Sequence, residues 1–242
     1  MSHDRLRRIA AVSAKLVFAT GVFATTVAGW SLVAPHVTAH RPLPDADGAE
    51  GRCAIWFVGS SSIHRWTSMA ADMAPWQVHN RGVNGALLGE VTARFLNEQP
   101  AGAPGAIVFY LGENDIAAGA DPAAVEEAVV HLAREARRRM PETRLFVLGL
   151  KPSPARWSQR TRQLHFNAQV SAWAGRTGTA TFLDVGSALL TDGAPGDFFQ
   201  PDGIHLDEAG YRRWARGVRT GIESAMPTET IRACTHRRPA AA

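Results

Sequence analysis

The chain has 242 residues, 45% of them hydrophobic, and this length supports one sizeable core with little left for a second domain. Its formal net charge is +4 and its isoelectric point is about 9.7, but residues 1–15 alone contribute +3. The rest is nearly neutral, with arginines interspersed among acids, and it lacks the concentrated basic face that nucleic-acid binding requires. Composition and charge therefore predict one domain without a nucleic-acid partner.

The N-terminal segment predicts attachment to a membrane. Residues 16–34 form a run of 19 residues without a charged side chain, close to the roughly 20 residues with which a helix crosses a bilayer. Basic residues precede this run, so the domain is expected outside the cytoplasm, facing the periplasm or the exterior. The length of the apolar run favours an uncleaved anchor, which would comprise residues 1–39, because signal peptides use roughly 7–15 apolar residues. The small residues of Val37–Ala39 keep a cleaved signal, and hence a secreted protein, as the alternative.

A polar linker, residues 40–52, follows the apolar run. Its sequence, HRPLPDADGAEGR, has the Pro, Gly and Asp content typical of a tether. Cys53 and Cys234 are the two cysteines of the chain and flank the domain. In an exported protein they can form a disulfide that ties the ends of the domain together. A buried thiol at Cys53 with an unpaired thiol at Cys234 is the alternative.

From residue 53 onward, short apolar runs alternate with longer amphipathic stretches. The apolar runs predict five strands, at residues 53–59, 76–83, 106–112, 144–150 and 180–186. The amphipathic stretches predict four helices, at residues 86–98, 122–140, 160–176 and 207–225, with 226–242 left as a C-terminal tail. Near-continuous hydrophobicity is typical of parallel strands covered on both faces. The order predicts an α/β fold with a doubly wound sheet, whose ligands bind beyond the carboxyl ends of the strands.

Four polar clusters follow predicted strands or precede the last predicted helix. They are residues 59–62 (GSSS), 80–90 (NRGVNGALLGE), 111–119 (LGENDIAAG) and 200–210 (QPDGIHLDEAG). Each motif by itself is also typical of a turn or a helix cap. Their common position at the carboxyl edge of one sheet predicts an active site there.

The residue types in these clusters match the needs of nucleophilic catalysis. A serine is a weak nucleophile at neutral pH and needs a base within hydrogen-bond reach, which His205 can provide. The base needs an acceptor at its other ring nitrogen, and Asp202 lies three residues earlier. Donors for an oxyanion are available from the backbone N–H groups of Ser61 and Gly85 and from the amide of Asn114. The residues alone leave open which of the three consecutive serines is the nucleophile.

The four motifs resemble the sequence blocks of the SGNH (GDSL) hydrolase superfamily, over residues 53–225. The family serine stands two residues after a glycine that ends the first strand, and this position is Ser61. The second-block glycine corresponds to Gly85, the Gly-x-Asn-Asp block to residues 112–115, and the Asp-x-x-His block to residues 202–205. In the first block, serines replace the family's Asp before the nucleophile and its Leu or Ile after it. Gly-Ser-Ser-Ser is similar to a known variant of that block.

This resemblance implies a three-layer α/β/α sandwich with a five-stranded parallel sheet. It implies that Ser61 is the nucleophile, His205 the base and Asp202 the residue that orients the base. It also implies an oxyanion hole formed by the N–H groups of Ser61 and Gly85 and by the side chain of Asn114.

The segment KPSPARW, residues 151–157, follows the fourth predicted strand and is also expected near the site. Arg156 and Trp157 are candidate substrate contacts, and a proline-stiffened loop with a packed Trp is the alternative. Asp202 and His205 lack a third ligand at the spacing of a metal site. The sequence therefore predicts neither a metal nor a cofactor.

The leading functional hypothesis is an exported, membrane-tethered serine esterase that hydrolyses carboxylic esters of an envelope or extracellular substrate through an acyl-enzyme. The second is an acyltransferase that uses the same triad to move acyl groups onto a glycan or lipid. The third is a catalytically silent binding module, against which the intact set of Ser61, Asn114, Asp202 and His205 argues. The sequence does not define the oligomeric state.

Overall fold

The computed structural model of the protein describes residues 41–45 and 50–236. The chain divides into two units, residues 1–41 and 42–242. The predicted anchor at residues 16–34 lies outside the described residues. Within the described ranges, no helix is long and apolar enough to cross a bilayer.

The central sheet consists of five parallel strands. They are β1 (Gly51–Gly59), β2 (Gln77–Gly82), β3 (Pro104–Tyr110), β4 (Arg144–Leu148) and β5 (Thr181–Leu183). Their order in the sheet is β2-β1-β3-β4-β5. Residues 53–59 of β1 and 106–110 of β3 are buried without interruption, as expected of central strands covered on both faces. A separate antiparallel pair is formed by β6 (Leu190–Thr191) and β7 (Ala194–Pro195).

Helices cover both faces of the sheet. They are α1 (Ser61–His64), α2 (Met69–Asp72), α3 (Leu88–Asn97), α4 (Glu113–Ala117), α5 (Pro122–Arg139), α6 (Arg160–Thr177), α7 (Glu208–Ala225) and α8 (Thr228–Thr235). Helix α5 packs against α3 and α6, whereas α7 packs against α2 and β5. This arrangement is a three-layer α/β/α sandwich, and the predicted fold is confirmed.

Local sequence accounts for where the long helices begin. Asp121 precedes α5 and its side chain accepts a hydrogen bond from the N–H of Ala123, with Pro122 at the first helical position. Asp207 precedes α7 and accepts from the N–H of Gly210 in the same way. Such side chains satisfy N–H groups that have no partner within the helix.

The short helices leave no recognisable pattern in the sequence. Helices α1, α2 and α4 have only four or five residues each, too few to show a helical repeat of apolar residues. Helix α8 falls in the segment predicted as a tail, and its Cys234 is buried. Leu43, within the predicted linker, is also buried and its N–H donates to Glu98 Oε1 at 2.6 Å.

A disulfide joins the two ends of the domain. Cys53 on β1 and Cys234 on α8 are bonded, with their Cα atoms 5.5 Å apart and a separation of 181 positions in sequence. The sequence left open whether these two cysteines form a disulfide or remain thiols, and the structure has the disulfide.

The strand order places one crevice at the centre of the sheet. The chain passes from β1 outward to β2 and then returns to β3 on the other side of β1. Connections therefore leave β1 and β3 towards opposite sides, and in such sheets ligands bind at this switch point beyond the carboxyl ends of the strands. Ser61 follows β1 and Asn114 follows β3, so both lie at this point.

Candidate active site

The turn after β1 places Ser61 at the first position of α1. Gly59 ends the strand, and a Cβ atom at this position would lie 2.6 Å from the carbonyl oxygen of Tyr110 and 2.6 Å from the Ile63 side chain. A side chain is therefore excluded there by close packing. Tyr211 on α7 donates its hydroxyl to the Ser62 carbonyl at 2.9 Å. The turn is thus held from β3 on one side and from α7 on the other.

Ser61, His205 and Asp202 form a continuous hydrogen-bonded chain. Ser61 Oγ lies 2.8 Å from His205 Nε2, and His205 Nδ1 lies 2.6 Å from Asp202 Oδ2. Ser61 and His205 are nearly buried, whereas the Asp202 side chain is 38% exposed. The arrangement can move a proton from the serine hydroxyl to the imidazole while the carboxylate stabilises the imidazolium.

Backbone hydrogen bonds hold Asp202 in its loop. Its Oδ1 accepts from the N–H groups of Ile204 and His205, each at 2.9 Å. Burial favours the neutral acid, but the hydrogen bonds from the His205 side chain and from these two N–H groups outweigh it and hold the pKa of Asp202 well below its usual value. Asp202 is therefore a carboxylate at neutral pH, and it accepts a hydrogen bond from the Nδ1–H group of His205.

The loop after β2 and the loop after β3 meet beside Ser61. Gly85 has φ +73°, in the left-handed region that favours glycine. Asn114 donates from Nδ2 to the Ala86 carbonyl at 3.0 Å. Asp115 accepts from the N–H of Leu88, the first residue of α3. The two loops that carry Gly85 and Asn114 are therefore bound to each other.

The segment after β4 crosses the same edge of the sheet as a 3₁₀-helix, Pro154–Gln159. The N–H of Ala155 donates to the Gly203 carbonyl at 3.0 Å, and Arg156 Nη2 donates to Asn114 Oδ1 at 2.9 Å. The segment therefore bridges the Asn114 loop and the loop of Asp202 and His205. The Arg156 side chain is only 16% exposed, whereas Trp157 is one of the exposed large hydrophobic residues.

A buried ion pair that the sequence did not predict lies directly behind these loops. Lys151 Nζ lies 2.6 Å from Glu113 Oε2, and the same oxygen accepts the Tyr110 hydroxyl at 2.5 Å. Lys151 Nζ also donates to Ser62 Oγ at 3.1 Å. Burial opposes ionisation of Glu113, but the charges of Lys151 and Arg156 prevail and lower its pKa. One signal was available: a charged residue stands three positions after the end of β3 and another three positions after the end of β4, both largely buried strands.

Within residues 41–45 and 50–236, no three His, Cys, Asp or Glu side chains are grouped so as to hold a metal ion.

A serine, a histidine and an aspartate in contact at the carboxyl edge of a parallel α/β/α sheet define a hydrolase of the SGNH class. A model of the GDSL-like lipase/acylhydrolase family matches residues 46–213, and the chain belongs to this family. The protein is therefore an esterase or acylhydrolase, which confirms the predicted family and enzyme class. No curated protein matches the chain in sequence.

Solved structures share the fold at low sequence identity. A GDSL-like lipase from Bacteroides thetaiotaomicron is 17% identical, with a TM-score of 0.59, and the match covers 81% of this chain and 98% of that one. A member of the lipolytic G-D-S-L family from Veillonella parvula is 16% identical, with a TM-score of 0.60 and coverages of 72% and 99%. TesA is 24% identical, with a TM-score of 0.56 and coverages of 72% and 99%. At these identities the structures support the fold alone.

Proposed function

We propose that the protein is a serine esterase that hydrolyses carboxylic esters of an envelope or extracellular substrate through an acyl-enzyme on Ser61. The observation that carries the proposal is the chain of contacts from Ser61 Oγ through His205 to Asp202, at 2.8 and 2.6 Å. These distances lie within the range over which a base and its orienting residue act on a nucleophile.

The proposed reaction has two halves. In the first, Ser61 Oγ attacks the ester carbonyl carbon while His205 Nε2 accepts the hydroxyl proton, and the carbonyl oxygen becomes an oxyanion. Collapse of this intermediate breaks the bond to the alcohol, which leaves with the proton from His205. In the second, His205 takes a proton from water as the water attacks the acyl carbon. The acid is released and Ser61 Oγ regains its proton.

Three donors are proposed to bind the oxyanion. Two are the backbone N–H groups of Ser61 and Gly85, and the third is Nδ2 of Asn114. Ser61 supplies its N–H from the start of α1, where backbone N–H groups have no partner within the helix. Removing one oxyanion donor typically costs about 10²–10³ in kcat. We expect Asn114→Ala to show a loss of this size with KM nearly unchanged, because the contact forms fully only in the transition state.

The proposed location is outside the cytoplasm, with residues 16–34 as a retained anchor. The 19-residue uncharged run behind basic residues supports it, and so does the disulfide of Cys53 and Cys234, since disulfides persist in oxidising compartments. Cell fractionation with N-terminal sequencing tests this. A soluble product that starts near residue 40 would instead indicate a cleaved signal, and a cytoplasmic product would contradict export.

The central experiment compares serine variants of the full chain. We expect Ser61→Ala to abolish the burst of p-nitrophenol from p-nitrophenyl acetate, and Ser60→Ala to retain it. An organophosphonate should label Ser61, as mapped by mass spectrometry. An adduct on Ser60 or Ser62 would contradict the assignment, and no adduct at all would favour a silent binding module. Acyl transfer to an added glycan in preference to water would favour the acyltransferase instead.

A further inference from the structure

Three buried or nearly buried charges lie behind Asn114. The buried charge cluster, as we call it, consists of Glu113, Lys151 and Arg156, whose side chains are 3%, 0% and 16% exposed. Lys151 contacts one carboxylate oxygen of Glu113, and Arg156 Nη1 lies 3.3 Å from the other. Glu113 therefore holds two cations in fixed positions, and the cluster carries a net charge of +1 when all three groups are ionised.

Arg156 spans from this cluster to Asn114. Its Nη1 faces Glu113 Oε1, while its Nη2 donates to Asn114 Oδ1 at 2.9 Å. A guanidinium carries donors only, in a rigid planar fork. The two contacts therefore require one orientation of the guanidinium, which Glu113 fixes.

The contacts of Asn114 determine which way its amide faces. Arg156 can only donate, so the oxygen of the amide must face it. The Ala86 carbonyl can only accept, so the nitrogen must face that side, where Nδ2 donates at 3.0 Å. The reversed amide would place donors against donors and acceptors against acceptors. The second N–H of Nδ2 is not needed for these contacts, and it is the one that Asn114 has for an oxyanion.

Accepting a charged donor also changes the chemistry of the amide. A hydrogen bond from a guanidinium to Oδ1 polarises the amide, which makes its N–H groups stronger donors. The positive charge of the cluster lies on the same side as the amide oxygen, away from bulk water. Both effects stabilise a negative charge at the end of the Nδ2–H bond.

We propose that Arg156 is a positioning residue for catalysis: held by Glu113, it orients and polarises the Asn114 amide that receives the oxyanion. This proposal rests on the proposed function of the site. It also differs from a substrate contact through Arg156, which the sequence suggested. Removing a guanidinium that binds substrate would raise KM. Removing one that acts through Asn114 would instead lower kcat.

The test is a double-mutant cycle on the full chain, with p-nitrophenyl acetate as substrate. We expect Arg156→Met to lower kcat by roughly 10- to 100-fold, with KM changed less than about twofold. In an Asn114→Ala background the same substitution should have little further effect, because the amide through which it acts is gone. Equal losses of kcat in both backgrounds would overturn the proposal, and so would a rise in KM alone.

A matched control addresses stability. Arg139 is half-buried and donates to the carbonyls of Phe95 and Glu98, at 3.0 and 2.9 Å, without contacting the site. Arg139→Met should lower the melting temperature and leave kcat unchanged. If Arg156→Met folds poorly, Arg156→Lys takes its place in the cycle, because lysine keeps the charge but lacks the fork.

A readout without turnover separates this proposal from the proposed function. The side-chain NH₂ signals of Asn114 can be assigned by NMR from their loss in Asn114→Ala. We expect them to shift and broaden in Arg156→Met, while unchanged signals would overturn the positioning role even in an active enzyme. If phosphonate labelling of Ser61 fails while these signals do shift, the proposed function fails and the contact stands.

Discussion

Asp115 accepts a hydrogen bond from the backbone N–H of Leu88, which lies 3.2 and 3.1 Å from its two carboxylate oxygens. This contact joins the start of α4 to the start of α3 across the crevice between β1 and β3. The Asn114–Ala86 hydrogen bond lies directly beside it. The loops that carry two of the proposed oxyanion donors are therefore positioned as one unit.

Replacing Asp115 is expected to affect both stability and turnover. Leu88 is buried, so Asp115→Ala leaves its N–H without this partner, at a cost of about 1–3 kcal/mol. The Gly85 loop then loses one of its attachments, and kcat should fall. Asp115→Asn keeps an acceptor oxygen and should retain most of both properties. Urea unfolding and ester hydrolysis measure the two effects, and equal behaviour of the Ala and Asn variants would contradict this role.

Replacing one member of the buried ion pair is expected to lower the free energy of unfolding much more than replacing one member of a surface ion pair. Glu113→Gln leaves the Lys151 ammonium buried without a carboxylate, which should lower the free energy of unfolding by about 3–5 kcal/mol. Adding Lys151→Met removes the unpaired charge and should restore part of the loss. As a control, Glu135→Gln breaks an exposed pair with Arg138 and should leave the free energy of unfolding nearly unchanged, because solvent screens this pair.

Chemical denaturation at neutral pH measures the three variants against the wild type. A Glu113→Gln protein as stable as the Glu135→Gln protein would show that Lys151 is accommodated without its partner.

The sequence predicted the parts of the site that follow from chemical need and chain order. Ser61 and His205 are 144 residues apart and in contact; a serine nucleophile requires a base, and parallel strands bring their carboxyl ends to one edge. The strand at residues 53–59 and the helix at 207–225 matched closely, because a long apolar run and a clear helical periodicity of buried residues carry their own signal.

The remaining features depend on tertiary contacts that leave no periodic pattern. Glu113 and Lys151 lie 38 residues apart, and neither spacing nor composition indicates that they pair. The sequence predicts Arg156 near the site but does not specify its direction, and the structure turns it towards Glu113 and Asn114. Helix α8 falls within the predicted tail because its eight polar-rich residues give little apolar pattern; its buried residue is Cys234, which is bonded to Cys53 on β1.

The Asp202 carboxylate predicts a pH-dependent contribution to stability. Its pKa is lowered in the folded protein from an ordinary value of 3.8, so its contribution is complete above that value and declines as the pH falls through the folded pKa. We expect the wild type to exceed Asp202→Asn in unfolding free energy by a difference that depends on the ionised carboxylate. Below about pH 4 it should shrink. Urea titrations at a series of pH values measure it, and a difference that stays constant down to pH 2 would contradict the expectation.

The disulfide predicts a large loss of stability on reduction. It closes a loop of 181 residues, and in the chain-entropy model such a loop contributes up to about 5 kcal/mol by restricting the unfolded chain. Since α8 meets β1 through this bond, reduction should release α8 before the rest of the domain unfolds. We expect dithiothreitol to lower the melting temperature of the wild type and to have no effect on Cys53→Ala/Cys234→Ala. Hydrogen exchange should show loss of protection in residues 228–235 first, with Ser61 still labelled by phosphonate. Unchanged protection of that helix after reduction would show that packing alone holds it.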